Sequence, residues 1–434
     1  MSNVETLSGL QRRLNASIPQ QQLRGEMEAR LKRIGRTAKI HGFRPGKVPF
    51  KVLEQQYGPS VQQEVLGESL QRSFAEAAIA NKLQVAGYPQ FEIKTNDLNA
   101  PQIEFSATFE VYPDVVIGDI SGENMERISF TLSDTDEEDT LNTLRKQRAV
   151  YKKTDRAAQN EDQVRIDFSG KLDGVVFEGG EAKDFTVVLG SGRMLPDFEK
   201  AIVGMQAGEI KSFDMTFPAD YHGKDVAGKT VTFTITAHAV EAAQLPEVDA
   251  VFAKELGMAD GDVGKLRQEI RDNIGREAQR RAKSRNKDGA MELLLKVSQL
   301  EVPKSLLEHE AQNLMQQALQ DMEARGMKIP KGMQLPADMF MERATKRVKL
   351  GLILAELVKK HDLVAKPEQV KEMIQEHAQS FEHPEEVVRW YAKDPQRMAE
   401  IENLVLEDNV VAWVMAGAKV KDQSLTLKEL MGGN

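Results

Sequence analysis

Apolar and polar residues alternate from Leu10 to Ile18, where Leu10, Leu14, Ala16 and Ile18 share one parity and Arg12 interrupts it. The pattern predicts a half-buried strand ending at Pro19. The period then lengthens: Leu23, Met27, Leu31, Ile34 and Ala38 recur at helical spacing, while Arg30, Lys32, Arg33, Arg36 and Lys39 take the other faces. Residues 20–40 therefore read as a basic amphipathic helix. A second helix is predicted to open at Pro59-Ser60, with Val61, Val65, Leu70, Phe74 and Ala77 on one face, and to close near Gly87. Ile103, Phe105, Ala107, Phe109 and Val111 alternate as a strand, and Pro113 ends this α+β segment.

Residues 114–160 read as a connector, with a short strand near Ile128–Leu132, an acidic helix start at Asp134–Asp139 and a helix through Leu144. From 161 to 242 come alternating strands at 164–168, 185–189, 211–217 and 231–237. They are broken by Asp173-Gly174, Gly179-Gly180, Gly190-Ser191-Gly192 and Gly223, which predicts a compact sheet domain. After Pro246 the strand signal disappears, and long helical patterns run to the end, interrupted at Val302-Pro303, Gly326–Pro336, Lys366-Pro367 and His383-Pro384. The last third is expected to be all-α.

Composition narrows the classes. At 434 residues, 41% of them hydrophobic, the chain has material for about three domains with cores of their own. A net charge of −9 argues against a general nucleic-acid binder, yet residues 1–60 hold eleven Lys/Arg against four Asp/Glu. One end of an acidic protein is thus predicted to face a polyanion. With no cysteine there are no disulfides and no thiol catalysis, and the seven scattered histidines form no H-E-x-x-H helix, so no metal is expected. No P-loop, G-x-S-x-G elbow or dinucleotide fingerprint occurs, and no cofactor or ATP cycle is expected. The opening Met-Ser-Asn-Val-Glu-Thr lacks a basic n-region and an apolar h-region, and the longest apolar run, near Leu350–Val358, is too short for a bilayer. A cytoplasmic protein without a membrane partner is expected.

Gly42-Phe43-Arg44-Pro45-Gly46-Lys47-Val48-Pro49 sets two glycines and two prolines around an aromatic and an arginine. Gly46 takes positive φ cheaply, and the prolines push Arg44 and Val48 toward extended backbone, so Phe43 and Arg44 are expected at a defined tip. A plain turn with a stray arginine has the same look. The octapeptide also resembles the G-F-R-x-G-x-x-P signature of the bacterial trigger factor family. That resemblance implies ribosome docking through Gly42, Phe43, Arg44, Pro45, Gly46, Lys47 and Pro49.

Phe168, Phe177, Phe185, Phe198, Tyr221 and Phe233 gather in a chain only 6% aromatic. Some must serve as core. Val164–Gly170, Gly174–Glu178, Phe185–Gly190 and the Gly190–Glu199 turn, which runs into a Pro-started helix, follow the order of FKBP-type peptidyl-prolyl isomerases. This second resemblance implies a pocket with Phe198 as floor, Phe168, Phe177, Phe185 and Phe233 as walls, and a backbone donor from Met194-Leu195. Glu178 stands where many members carry Asp, Asp197 replaces a common Gly, and the segment around Tyr221 is shorter than in single-domain members.

Twelve of the 18 methionines lie beyond residue 246, beside many glutamines. Helical cores use Met too. The alternative is a cleft in which adaptable side chains at Met315, Met322, Met339 and Phe340 hold clients of many sequences.

The order of these blocks resembles the trigger factor family over essentially the whole chain. It implies a multidomain α+β fold: an α+β ribosome-docking domain at 1–113, a connector at 114–160 packing on the C-terminal body, an FKBP-like antiparallel sheet domain at 161–242 and an all-α chaperone domain at 243–434. The implied function is ATP-independent sheltering of nascent chains at the tunnel exit, with isomerisation of X-Pro bonds. Implied partners are the large ribosomal subunit, through protein and rRNA, and unfolded polypeptides, with a homodimer off the ribosome left open. Two other classes remain: a plain FKBP-type isomerase with targeting domains, and an RNA-binding regulator. The second would need aromatic stacking platforms, and residues 1–56 offer only Phe43 and Phe50.

Overall fold

The computed structural model describes residues 3–41, 43–44, 46–95, 100–221, 223–327, 330, 335–379, 381 and 383–432. Two compact units divide the chain, Met1–Ile128 with Ser284–Gln423 and Ser129–Lys283 with Ser424–Asn434.

The first unit begins with β1 (Asn3–Thr6), β2 (Gln11–Pro19), α1 (Gln20–Gly35), α2 (Phe50–Ala80), β3 (Val85–Ile93) and β4 (Gln102–Val111). The strands form an antiparallel sheet in the order β1-β2-β4-β3, with Leu14 opposite Ala107 and Ile18 opposite Ile103. The period-2 alternation turns Leu14, Ile18, Ile103, Phe105 and Phe109 to one face, where Leu23 and Leu31 of α1 and Val61, Val65, Leu70 and Phe74 of α2 cover them. Helix α2 starts nine residues earlier than the sequence predicts. Pro49 is its N-cap and Pro59 lies inside it, exposed on the solvent face. The apolar row Leu53, Tyr57, Val61 and Val65 continues past Pro59, and burying that row outweighs the backbone bond the proline forfeits. Strand β3 was not expected either. Pro89 falls in its bulge, between the paired residues Ala86 and Gln90, on an edge strand where a missing donor is tolerated.

After β5 (Val116–Ile117) and β6 (Asn124–Phe130) the second unit opens with α3 (Asp134–Gln147), started by a Ser133/Asp136 capping box. Its sheet comprises β7 (Val150–Thr154), β8 (Gln163–Leu172), β9 (Val175–Val188), β10 (Ile210–Thr216) and β11 (Thr230–Gln244), with α4 (Pro196–Ile202) between β9 and β10. All pairings are antiparallel; β11 is central, with β8 along one edge and β10 followed by β7 along the other. Strand β7 falls within the segment read as connector, beyond the one short strand predicted there near Ile128–Leu132. Its five residues include two exposed lysines and are too few for a readable alternation. Helix α5 (Ala250–Glu255) and the start of α6 (Val263–Val297) pack Phe252, Leu266 and Ile270 against Leu141 of α3.

The second half of α6 returns to the first unit, followed by β12 (Ser298–Gln299), α7 (Lys304–Ala324), α8 (Asp338–His361), α9 (Pro367–Ala378), α10 (Pro384–Ala392), α11 (Pro395–Gly417), β13 (Lys419–Leu425) and α12 (Leu427–Leu430), of which α12 belongs to the second unit. Pro367, Pro384 and Pro395 each stand at a helix start, where the missing N–H costs nothing. Leu294 of α6, Ile353 and Leu357 of α8, and Val410 and Val414 of α11 form the helical core, which Ile120 and Met125 join. The region beyond Pro246 is mainly helical but not all-α: β12 pairs with β5, and β13 pairs with β6.

Candidate functional site

Three groups of residues carry the candidate chemistry. The first is the tip after α1. Phe43, Arg44, Gly46, Lys47 and Pro49 are all exposed, and Gly42 and Pro45 lie outside the described residues. The backbone turns back on the end of α1: Phe43 N–H donates to the Ile40 carbonyl (3.1 Å), Gly46 N–H to the Gly35 carbonyl (3.2 Å) and Lys47 N–H to the Arg44 carbonyl (2.9 Å). Gly46 sits at φ +82°, a conformation side chains resist. Arg30, read from the sequence as part of the basic face, instead forms ion pairs with Glu64 and Glu68 of α2. Arg33, Arg36, Lys39, Arg44 and Lys47 are exposed and form no ion pair among the described residues. An exposed phenyl ring thus lies in a stretch, residues 33–47, that carries these five exposed cations.

The second group is a cluster of rings in the five-stranded sheet. Phe198, 2% exposed, is carried on the first turn of α4, where Leu195 is the N-cap and Pro196 the first helical residue. Its ring meets Phe168 at 5.5 Å and 81° and Phe233 at 5.3 Å and 85°, both edge to face. Phe185 joins edge-on to Phe168 at 5.7 Å, and Phe177 to Phe233 at 6.2 Å. Met194 and Leu195 are half-buried against the same cluster. Gly170 makes this packing possible: a Cβ there would lie 2.6 Å from Phe233 and 2.9 Å from Phe177.

Two of the implied pocket residues stand apart from this ring cluster. Glu178 is exposed and has no hydrogen bond or ion pair among the described residues, since alternation turns it away from Phe177. Tyr221 reaches the cluster through Phe217, whose ring is 4.7 Å away. Phe217 and Phe213 were read only as strand positions. Phe213 stacks on Phe233 at 6.0 Å and 21° and lies 6.0 Å from Phe198. The alternation of Lys211–Phe217 was the signal that could have found them.

Elsewhere in this unit Asp162 is buried beside Arg156. Burial pushes its carboxyl up, but the guanidinium and the Gln159 N–H outweigh that and hold it below the usual carboxylate range. On the outer side of β8, Asp167 is lowered by the Asp184 N–H and by His238.

The third group belongs to the helical region. Met315 and Met322 of α7 are half-buried, Met339 of α8 is 71% exposed, and Phe340 packs on the small core of Ala311, Leu314 and Ala344 where α7 meets α8. A cavity of about 590 Å³ lies along α6, α8 and α11, with Met291, Leu350 and Leu354 among charged neighbours such as Lys287 and Glu407. On and near α10, Phe381 and Trp390 are half exposed, and the Arg397 guanidinium lies 3.8 Å over the Trp390 ring. The sequence reading singled out neither aromatic.

Among the described residues no group of three or more His, Cys, Asp and Glu is placed to hold a metal ion. No described helix is long and apolar enough to cross a membrane.

Comparison with known proteins adds the following. Residues 1–144 match the family profile described as bacterial trigger factor protein, residues 262–416 that of its C-terminus, and residues 154–238 that of FKBP-type peptidyl-prolyl cis-trans isomerases. The protein named Trigger factor in Laribacter hongkongensis is 50% identical over 430 residues, 99% of each chain. Its namesake in Dechloromonas aromatica is 53% identical over 423 residues, 98% of this chain and 97% of that one.

Proposed function

The chain belongs to the bacterial trigger factor family, and on that premise we propose which of its residues do the family's work. It is an ATP-independent, ribosome-associated chaperone for nascent chains that also catalyses cis/trans isomerisation of X-Pro bonds. A plain isomerase with targeting domains is not favoured, because both trigger factor profiles flank the isomerase block.

In the proposed division, residues 1–113 dock beside the tunnel exit of the large subunit, 114–160 connect, 161–242 isomerise, and 243–434 shelter clients in the cytoplasm. Self-association off the ribosome is part of this reading. Docking runs through Gly42, Phe43, Arg44, Pro45, Gly46, Lys47 and Pro49, with Arg33, Arg36 and Lys39 adding positive field toward rRNA phosphate or an acidic ribosomal side chain. Client contacts run through Met315, Met322, Met339 and Phe340, whose adaptable side chains suit many sequences at low shape specificity.

The isomerase site is proposed as Phe198 below, Phe168, Phe177, Phe185 and Phe233 around it, Met194 and Leu195 at the rim, and Tyr221 and Glu178 at its margin. No nucleophile is required. Rotation about an X-Pro bond passes through a twisted amide that has lost resonance and part of its dipole, so a dry, ring-lined slot favours it over the planar state. A rate gain of about 10⁵ corresponds to about 7 kcal/mol off a barrier of about 18–20 kcal/mol. Desolvation and a small number of hydrogen bonds supply energies of this size.

The exposed Phe43-Arg44 tip among unpaired cations is the observation that carries the docking assignment. Replacing Phe43-Arg44-Pro45 by three alanines is expected to abolish most co-sedimentation with large subunits at physiological salt while the far-ultraviolet dichroism stays unchanged. Undiminished co-sedimentation would refute it.

A further inference from the structure

Among the described residues three carboxylates are buried: Glu137, Asp162 and Glu199. Glu137 is matched by Arg267 and Arg271, and Asp162 by Arg156. Glu199, 8% exposed, has no cation beside it among the described residues. A buried charge is costly unless hydrogen bonds replace its water, and here the replacements are two backbone groups. Gly190 N–H donates to Glu199 Oε2 at 2.9 Å, and Met194 N–H reaches Oε1 at 3.5 Å. Both donors lie in the loop joining β9 to α4, whose middle residues Ser191, Gly192 and Arg193 are exposed. The next residue, Leu195, is the N-cap of α4, and its own N–H meets no acceptor among the described residues.

We propose that Glu199 is a positioning residue for isomerisation: its carboxylate ties both ends of the 190–194 loop, and so holds the Leu195 N–H beside the Phe198 ring for a carbonyl of the bound peptide. The role rests on the pocket reading above. Affinity for the peptide is spread over the rings, whereas a fixed donor matters most when one carbonyl must keep its orientation as the amide twists. Loosening the loop therefore lowers kcat and leaves KM nearly unchanged. Glu199→Gln keeps the shape but offers one acceptor oxygen where two N–H groups need partners, and sets an NH₂ against one of them.

The test uses the full chain and a Phe-Pro peptide, well below the unfolding temperature. In the unaltered protein the Gly190 and Met194 amides are expected to exchange at least about tenfold more slowly than Gly192 and Arg193, whose N–H groups meet no acceptor among the described residues, after correction for intrinsic rates. Glu199→Gln should erase that difference and lower kcat about tenfold, with KM within about twofold. Asp162→Asn, a control for general destabilisation, should reduce stability and keep kcat.

Equal exchange across the loop in the unaltered protein would overturn the proposal even if no Glu199 variant folds. So would a kcat within about twofold in Glu199→Gln, a rise in KM alone, or an equal loss of kcat in Asp162→Asn. Phe198→Leu separates the two readings. Near-normal turnover there removes the pocket assignment and this role with it, whereas lost turnover there with kcat kept in Glu199→Gln removes only the role of Glu199.

Discussion

A methyl group at position 170 would press on Phe177 and Phe233 together, two walls of the proposed slot. Gly170→Ala is therefore expected to cost about 1–3 kcal/mol of stability in the sheet unit and to reduce isomerase turnover by about an order of magnitude, because overpacking displaces the rings. Peptide turnover and denaturant unfolding of the same preparation check this; unchanged turnover would mean that Phe177 and Phe233 do not shape the slot. Glu110 gives a second prediction at this scale, away from the pocket. Burial pushes its carboxyl up, but the Ser305 N–H and hydroxyl and the Lys304 N–H, at the start of α7, outweigh that and hold it below the usual glutamate range. A group whose folded value is lowered stabilises the folded state fully above its ordinary value, and the contribution disappears as pH falls through the lowered one. Protection of the Ser305 amide, relative to its intrinsic exchange rate, should thus fall on acidification below the ordinary glutamate range, and Glu110→Gln should lower it at neutral pH. A Ser305 amide indifferent to both would contradict the assignment.

Elements with a sustained apolar period were legible in the sequence, as in α1, β4, β11 and, despite Arg12, β2; those whose signal depends on a distant partner were not. Strand β7 is identified by pairing with β11, and β3 by pairing around its Pro89 bulge. Pro59 read as a helix start because local chemistry favours one there, while the buried row on both sides of it extends α2 to Phe50. Pro59→Ala restores one backbone donor on an exposed face, against a smaller loss from a freer unfolded chain. It is expected to stabilise the first unit by about 1–2 kcal/mol, read as a shift of the denaturant midpoint. Destabilisation would mean that α2 needs a bend at Pro59. The ring cluster shows the same division. Its rings come from β8, β9, α4 and β11, so no spacing in the sequence could assemble them, and the family resemblance supplied what periodicity could not. Glu199 looked like any polar residue of a short helix, since its burial is made by a loop nine residues upstream.

On the scale of the molecule holding and isomerising are proposed as separable activities, and the fold shows where a cut must fall. Residues 161–242 do not comprise the whole sheet, because β7 pairs along β11 with Val150 opposite Gln244. The two ends of a deletion from 150 to 244 are therefore neighbours that a short Gly/Ser linker can join. In the proposed reading several weak client contacts on one body raise the effective concentration of the next, and such binding is expected to be firm enough to delay aggregation and reversible without ATP. The direct measurement is light scattering by a denatured, proline-poor protein diluted into buffer with the full chain or with a chain whose residues 150–244 are replaced by that linker. The account predicts that the shortened chain, folded by circular dichroism and inactive on Phe-Pro peptides, still suppresses most of the scattering. A folded shortened chain that gives no protection would contradict it and move the holding activity into the isomerase unit.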